Sequence, residues 1–431
     1  MNTMMMAVIL LLILLGLLFL NVPVAFCIAT AATVVCLISG IDLIRMPQTM
    51  FTGMNSFTLL AIPYFLYAGA LMEHGGISQR LVDFAYSLVA HLRGGLAHVT
   101  ILACMFFAAI SGSSIATTAA IGRIMVPDMQ KKGYDPAFTG AVAASGGITG
   151  VIIPPSMTMV LFGAATGTSI GAMFMAGIIP GILIGCSLMI IAYIFSKKYG
   201  YPVGEKSSIK EKLDKFKKAI LALMMPVIIL GGIYGGIFTP TEAATVACVY
   251  GMFIAIVVYR FVDFKKFRMI TRSAVKSTCT IGIILGVAMY FGNWLTVERI
   301  PHLLSETIGN AGWTLYFTLL IINVLLLALG CFMDTGAALI ICAPILTPIV
   351  VTMGMHPVHF GIIMVVNLAI GNITPPVGIL MYVAADIAKV PFSKIVKPIL
   401  AFCLMAIADL FLISYLSPLV LGLPKILGLI S

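Results

Sequence analysis

The sequence predicts an all-α polytopic membrane protein organised as an inverted repeat, with two re-entrant hairpins and two broken helices. Three observations carry that expectation. Of 431 residues, 61% are hydrophobic and only 9% charged, and the mean hydropathy is +1.14, a composition no soluble globular chain of this length tolerates. The basic residues gather in short loops between apolar runs. Two of those runs are interrupted in the same way, at Gly-Val-Ile-Ile-Pro-Pro-Ser (150–156) and Gly-Asn-Ile-Thr-Pro-Pro-Val (371–377).

The first apolar run, Met4 to Leu20, has no basic leader and no small-residue cleavage site, and further hydrophobic runs follow at once; it reads as a span, not a signal peptide. Asn-Val-Pro-Val-Ala at 21–25 breaks it from a second run ending near residue 40. Residues 57–72 form the next span, and 77–93 a more polar stretch carrying Arg80, Asp83 and Arg93. The apolar run 96–127 is interrupted at Ser111-Gly-Ser-Ser114 and flanked by Arg93 on one side and Lys131 and Lys132 on the other. Basic flanks mark cytoplasmic ends, so this run is a hairpin entering and leaving from inside. A helix broken at Pro154-Pro155 and a span over 170–195 complete the first half.

Two loops hold the densest charge. Lys197 to Lys218 has eight lysines against three acids, and Arg260 to Lys276 has six basic residues against one acid. The apolar runs 219–238 and 242–260 lie between them, and two spans return the chain to the same side, so both loops are cytoplasmic. Parity then sends 277–296 outward. The stretch 313–353 contains no Lys or Arg and is interrupted at Gly330-Cys-Phe-Met-Asp-Thr-Gly336. Its arms fall short of the roughly 20 apolar residues a span needs, and it reads as a hairpin entering from outside. The second broken helix, 359–383, runs inward to Lys389, Lys394 and Lys397, and 396–417 runs out again.

The second half thus repeats the element order of the first, displaced by 221 residues at the glycines Gly150 and Gly371, with one hairpin opening inward and the other outward. That is an inverted-topology repeat of about ten spans and two hairpins, with its N-terminus outside. Arg45 is the main exception to the charge pattern. The first repeat covers 1–196 (scaffold spans 4–40, transport part 57–195), a polar cytoplasmic linker 197–218, the second repeat 219–418 (scaffold spans 219–260, transport part 277–418) and a tail 419–431.

Two successive prolines remove a backbone donor and clash one turn back, so a helix cannot run through them. Unwound backbone at membrane depth survives only when buried in protein or facing water. Each break exposes carbonyl oxygens suited to a hard cation, and the following half-helix offers a partly positive N-terminus to an anion. Two pseudo-symmetric cation sites follow, with Gly150 set against Gly371, Ile153 against Thr374 and Ser156 against Val377. The glycines are expected to supply the conformational freedom of the unwound stretch.

Asp334 is an ionisable group in a hairpin tip, and serves either substrate or ion handling or helix capping. Its Asp-Thr-Gly context matches half of an aspartic protease site, but no second such motif exists for the shared proton. Arg299 follows an outward span and meets an anionic substrate or anchors at the interface. Arg123 snorkels toward the cytoplasm, and Asp409 lies inside the last apolar run with no evident partner. The nine cysteines lack CxxC spacing and the six histidines lack HExxH spacing, which disfavours a metal centre. No G-x-x-x-x-G-K-[ST] loop is present, so the chain does not itself use ATP. The net charge of +10 is a topology signal and not a nucleic-acid footprint; membrane lipid is the surrounding partner.

These motifs together, Asn-Val-Pro-Val-Ala, the Ser-Gly-Ser-Ser tip, the two Pro-Pro breaks, Thr-Pro-Thr-Glu-Ala at 239–243 and the Asp334 tip, resemble the large membrane subunit of tripartite ATP-independent periplasmic (TRAP) transporters over essentially the whole chain. The resemblance implies an ion-transporter-superfamily elevator fold in a bacterial inner membrane. It also implies Na⁺-driven uptake of an organic acid, sialic acid foremost and a C4-dicarboxylate next, with a small four-helix membrane subunit and a periplasmic substrate-binding protein as partners. Carried over by motif, one Na⁺ site uses carbonyls around Ser111, Ser114, Gly150, Ile153 and Pro155, and the other Gly330, Gly371, Thr374 and Val377. Substrate then lies near Ser113, Ser156, Asp334 and Arg299. A stand-alone Na⁺/carboxylate symporter, an ion channel and an intramembrane enzyme are the competing classes.

Overall fold

The structure is a computed structural model and describes residues 3–20 and 22–430; Asn21, the first residue of the 21–25 break, lies outside them. Its element order repeats as the sequence predicts. Thr3–Phe19 and Val24–Ile38 correspond to Ile209–Tyr234 and Pro240–Met252, and the bent pair 45–54 and 57–74 to the continuous helix Phe264–Val297. Next come an amphipathic helix (Ile77–Val89 or Ile300–Asn310), a hairpin (95–131 or 315–352), a broken helix (136–166 or 357–388) and a long helix (Ile170–Tyr199 or Phe392–Tyr415). A last helix, Ser417–Ile426, occupies most of the tail.

Local chemistry sets several boundaries. Thr239 and Glu242 form a reciprocal capping box, with Pro240 in the first turn where no donor is lost. The Thr-Pro-Thr-Glu-Ala break is therefore a helix start. Ser208 and Glu211 make a second capping box, so the helix rises out of the basic linker at Ile209, ten residues before the apolar run begins. Lys215 of that polar turn pairs with Asp83 at 2.9 Å, fastening the linker to helix Ile77–Val89.

Among the described residues seven helices are long and apolar enough to cross a membrane, or eight if the pair 45–54 and 57–74, bent by 65°, is one span. The expected ten differ for a physical reason: Thr3–Phe19 has 17 residues, Val24–Ile38 has 15, and each Pro-Pro helix is divided into two shorter pieces. Two of the seven, Leu315–Phe332 and Thr335–Thr352, are the arms of the second hairpin.

The half-helices leading into the breaks form the centre of the molecule. Every residue from Val358 to Gly371 and from Phe138 to Gly147 is buried, and neither half-helix has a polar face, as expected for helices enclosed by protein on all sides. Around them the hairpins cross over: Ser114–Lys131 packs on Ile379–Ala388 of the other repeat, and Thr335–Thr352 on Met157–Thr166. Helix Ala61–His74, counted with the transport part on sequence grounds, packs against Pro240–Met252 and Phe264–Val297. Asp409 finds its partner across the repeats, accepting a 3.0 Å hydrogen bond from the Ser187 hydroxyl.

Candidate functional site

Each hairpin tip sits on the helix break of its own repeat. In the first hairpin, helix Gly95–Ser111 ends at Gly112 in a left-handed conformation (φ 61°), a position that favours glycine. Ser113 then caps Ser114–Lys131 through its hydroxyl. The Gly112 carbonyl accepts from the Met157 amide at 3.4 Å, joining the tip to the far side of the Pro154-Pro155 break. On the near side, a methyl group on Gly150 would lie 2.5 Å from the Ser113 carbonyl oxygen and 2.6 Å from the Thr117 hydroxyl. The tip backbone and the unwound stretch therefore touch without side chains between them.

The second hairpin repeats this contact through different groups. A methyl on Gly371 would fall 2.5 Å from the Gly330 carbonyl carbon and 2.6 Å from its Cα. The Gly378 amide donates to the Cys331 carbonyl at 3.0 Å, and the Cys331 thiol donates to the Thr374 carbonyl at 3.0 Å. Beyond the break, Gly378 occupies the N-cap of Ile379–Ala388 in the left-handed region, where the first repeat has Ser156 capping Met157–Thr166. Both Pro-Pro bonds, 154–155 and 375–376, are cis.

The residues present suit a hard cation. Asn372, fully buried, leaves its Oδ1 without a partner among the described residues while its amide nitrogen donates to Thr335 at 2.8 Å. Near the first break the buried Thr118 hydroxyl also lacks one. Orphaned buried oxygens cost stability, and oxygen-rich surroundings are what such cations take.

The chain has counterparts among known proteins. Residues 11–419 match the family model of the tripartite ATP-independent periplasmic transporter, DctM component. The chain belongs to that family. It is 42% identical over 380 residues to the C4-dicarboxylate TRAP transporter large permease DctM of Pseudomonas aeruginosa, covering 88% of this chain and 89% of that one. To the sialic acid TRAP transporter large permease SiaM of Vibrio cholerae it is 37% identical, covering 96% and 97%. An isethionate TRAP transporter permease, DctMQ of Oleidesulfovibrio alaskensis, is 42% identical over 92% of this chain, which spans 62% of that protein. Among solved structures, the YdaH transporter of Alcanivorax borkumensis superposes with a TM-score of 0.62 at 15% identity, covering 86% of this chain and 88% of that one. MtrF of Neisseria gonorrhoeae gives 0.59 at 13%, covering 87% and 84%; these two likenesses concern the fold alone. This DctM-family chain is thus a transport protein for organic acids, not an enzyme, and a multi-pass protein of the inner membrane.

Within this DctM-family chain the predicted residues fall as follows. Ser111, Ser114, Gly150, Ile153 and Pro155 lie on the first tip and break, and Gly330, Gly371, Thr374 and Val377 on the second. Ser113 is half-buried, whereas Ser156 is buried with its hydroxyl bonded to the Val151 carbonyl and Thr158. Asp334 caps Thr335–Thr352 through the Gly336 amide at 2.9 Å while remaining exposed at the tip. Capping and an accessible carboxylate therefore coexist. Arg299 stands apart: exposed, left-handed (φ 54°), at the turn before Ile300–Asn310, with no hydrogen bond or ion pair to the tips among the described residues.

Three residues at these contacts were not anticipated. The Thr117 hydroxyl donates to the Ser113 carbonyl at 2.8 Å and lies 2.9 Å from the Ser111 hydroxyl, knitting the first tip. Cys331 and Asn372 do the same for the second. Thr117 carried a usable signal, one turn beyond a capping serine; Cys331 and Asn372 carried none beyond adjacency to predicted positions.

Proposed function

We propose that this DctM-family subunit takes up an organic acid by Na⁺-coupled secondary transport, moving its hairpins, its broken helices and the long helices that follow them (Ile170–Tyr199 and Phe392–Tyr415) as one body past the remaining spans in an elevator motion. The observation that supports this reading is the doubled tip-on-break contact: in each repeat the hairpin backbone is pressed against the glycine before the Pro-Pro break, beside a buried half-helix. Na⁺ is a co-transported substrate here, held by carbonyls of Ser111, Ser114, Gly150, Ile153 and Pro155 and of Gly330, Gly371, Thr374 and Val377, with Asn372 Oδ1 beside the second set.

The organic anion lies between the tips. Ser113 and Asp334 are the accessible polar groups there, and helix Met157–Thr166, touched by both hairpins, directs its N-terminus toward the first tip. Ser156 orients that N-terminus by capping it, and its own hydroxyl is already engaged. The relatives' names support C4-dicarboxylates as the first substrates to test, with sialic acid and isethionate after them. The partners in this reading are a small four-helix membrane subunit and a periplasmic binding protein, with capture at low concentration left to the latter.

Reconstituted with the small subunit alone, the chain is expected to accumulate little acid. Adding the cognate binding protein should raise initial uptake at least tenfold, and only under an inward Na⁺ gradient. Vigorous uptake without binding protein would instead favour a stand-alone symporter, and uptake indifferent to Na⁺ would remove the coupling. The inverted map is tested separately: a tag inserted at the exposed Lys206 should be reached only from the cytoplasm, and one at the N-terminus only from the periplasm. Finding both on one side rejects the inversion.

A further inference from the structure

A cavity of about 350 Å³ opens where the second arm of the first hairpin meets the end of Ala61–His74, the start of Ile77–Val89, the connection 259–263 and the start of Phe264–Val297. Its walls include Glu73, His74, Ser78, Arg123, Phe261 and Lys266. Ser78 is only 6% exposed, yet its hydroxyl has no hydrogen-bond partner among the described residues. A buried hydroxyl left unpaired in a cavity wall is a donor awaiting an acceptor.

The charge of the walls indicates which kind. Glu73 is the only acid lining the cavity, against Arg123 and Lys266. Lys266 Nζ is held 3.0 Å from the Phe261 carbonyl and 4.3 Å over its ring, and Arg123 makes no hydrogen bond or salt bridge among the described residues. Two residues beyond Ser78, Arg80 lies 3.3 Å over the Tyr259 ring with Nη1 buried and unpartnered, adding positive potential at the same helix end. An anion entering here would meet a guanidinium, an ammonium and a hydroxyl together, a set that binds carboxylates.

The cavity wall shares a helix with the tip: Ala120, Arg123 and Ile124 lie on the arm that Ser113 caps. Ala116, Ala120 and Arg123 stand at i, i+4 and i+7 on Ser114–Lys131, so they share one face. Ala116 is the residue whose amide Ser113 caps, and Arg123 lies about 10 Å further along at 1.5 Å per residue. On that face only the methyl groups of Ala116 and Ala120 stand between the tip and Arg123. Lys131 closes the arm and Lys266 lies in the first turn of Phe264–Val297, on the side read as cytoplasmic from their charge.

We infer that this cavity is an exit station for the transported acid, binding its carboxylate between Arg123, Lys266 and Ser78 after it leaves the hairpin tip; the inference rests on the organic-acid uptake proposed above. The moving hairpin supplies one cation and the first turn of helix Phe264–Val297 supplies the second, so the station changes shape as the hairpin travels.

The test labels Ile124→Cys, which lines the cavity, in a chain whose exposed Cys186 and Cys279 are replaced by serine, in complex with the small subunit in neutral-lipid nanodiscs. The anionic 2-sulfonatoethyl and the cationic 2-trimethylammonioethyl methanethiosulfonates should differ in rate at least tenfold in favour of the anion. Arg123→Gln with Lys266→Gln should erase the difference, and Arg123→Lys should keep it. Succinate, sialate or isethionate at millimolar concentration should slow anionic labelling at least threefold. Should the glutamine variant not assemble, competition by sulfate on the parent serves instead. Equal rates, a preference that survives both glutamines, a preference appearing only with anionic lipid, or no protection by any acid that the complex transports would each overturn the station. Failure of the organic-acid reading shows independently, as no accumulation of any of the three acids by the complex with its binding protein.

Discussion

Replacing Gly371 by alanine is expected to abolish Na⁺-dependent uptake. The added methyl would lie 2.5 Å and 2.6 Å from backbone atoms of Gly330 and 2.9 Å from the Cys331 amide nitrogen. None of these belongs to a flexible side chain, so the contact relaxes only by parting the hairpin arm from the break. That separation shifts the carbonyls assigned to the second ion. Overpacking of this kind costs about 1–3 kcal/mol, which corresponds to a loss of roughly five- to 150-fold in ion affinity. Gly150→Ala should act alike on the first site, since its methyl meets the Ser113 carbonyl at 2.5 Å. Gly231→Ala is the control: nothing lies within 4 Å of its methyl, and uptake should be unchanged. Initial rates measured across a Na⁺ series decide the matter, and an unaltered Na⁺ dependence in Gly371→Ala sinks the second site.

The same two glycines show how far the sequence could be read. Their position before Pro-Pro was plain, because proline acts through local covalent geometry. The reason for glycine was misread. Neither Gly150 nor Gly371 has a positive φ; what excludes a side chain is the hairpin backbone pressed against them, a tertiary contact that no local pattern reports. Freedom of conformation matters instead at Gly112 and Gly378, which turn the chain at the tip and at the half-helix start. Asp409 makes the same point, since its partner Ser187 is 222 residues away. The start of helix Ile209–Tyr234 was legible in Ser208 and Glu211 as a capping box, but the lysines around it drew the reading toward a linker. Asn372 lies inside a motif already singled out, and only the placement of Thr335 beside it reveals that one amide atom is engaged and the other bare.

Fastening the proposed moving body to its neighbours should stop transport completely. Gly171 opens helix Ile170–Tyr199, which follows the first broken helix, and Ile233 lies near the end of Ile209–Tyr234, a span outside the moving body. A Cβ on Gly171 would stand 3.4 Å from the Ile233 Cγ2 atom, a position the sulfur of a cysteine at 233 can occupy, which puts the two side chains within reach of a disulfide. The Tyr234 hydroxyl already bonds the Gly171 carbonyl at 3.3 Å, so the two helices are in register in this state. Neither position touches a tip or a break. The double variant Gly171→Cys with Ile233→Cys, oxidised in proteoliposomes with its partners, is expected to lose uptake entirely and to regain it on reduction, while each single variant transports throughout. If the helices do not slide past each other, the bond constrains nothing. Undiminished turnover with the disulfide shown to be formed would therefore reject the elevator and require a mechanism in which only the tips move.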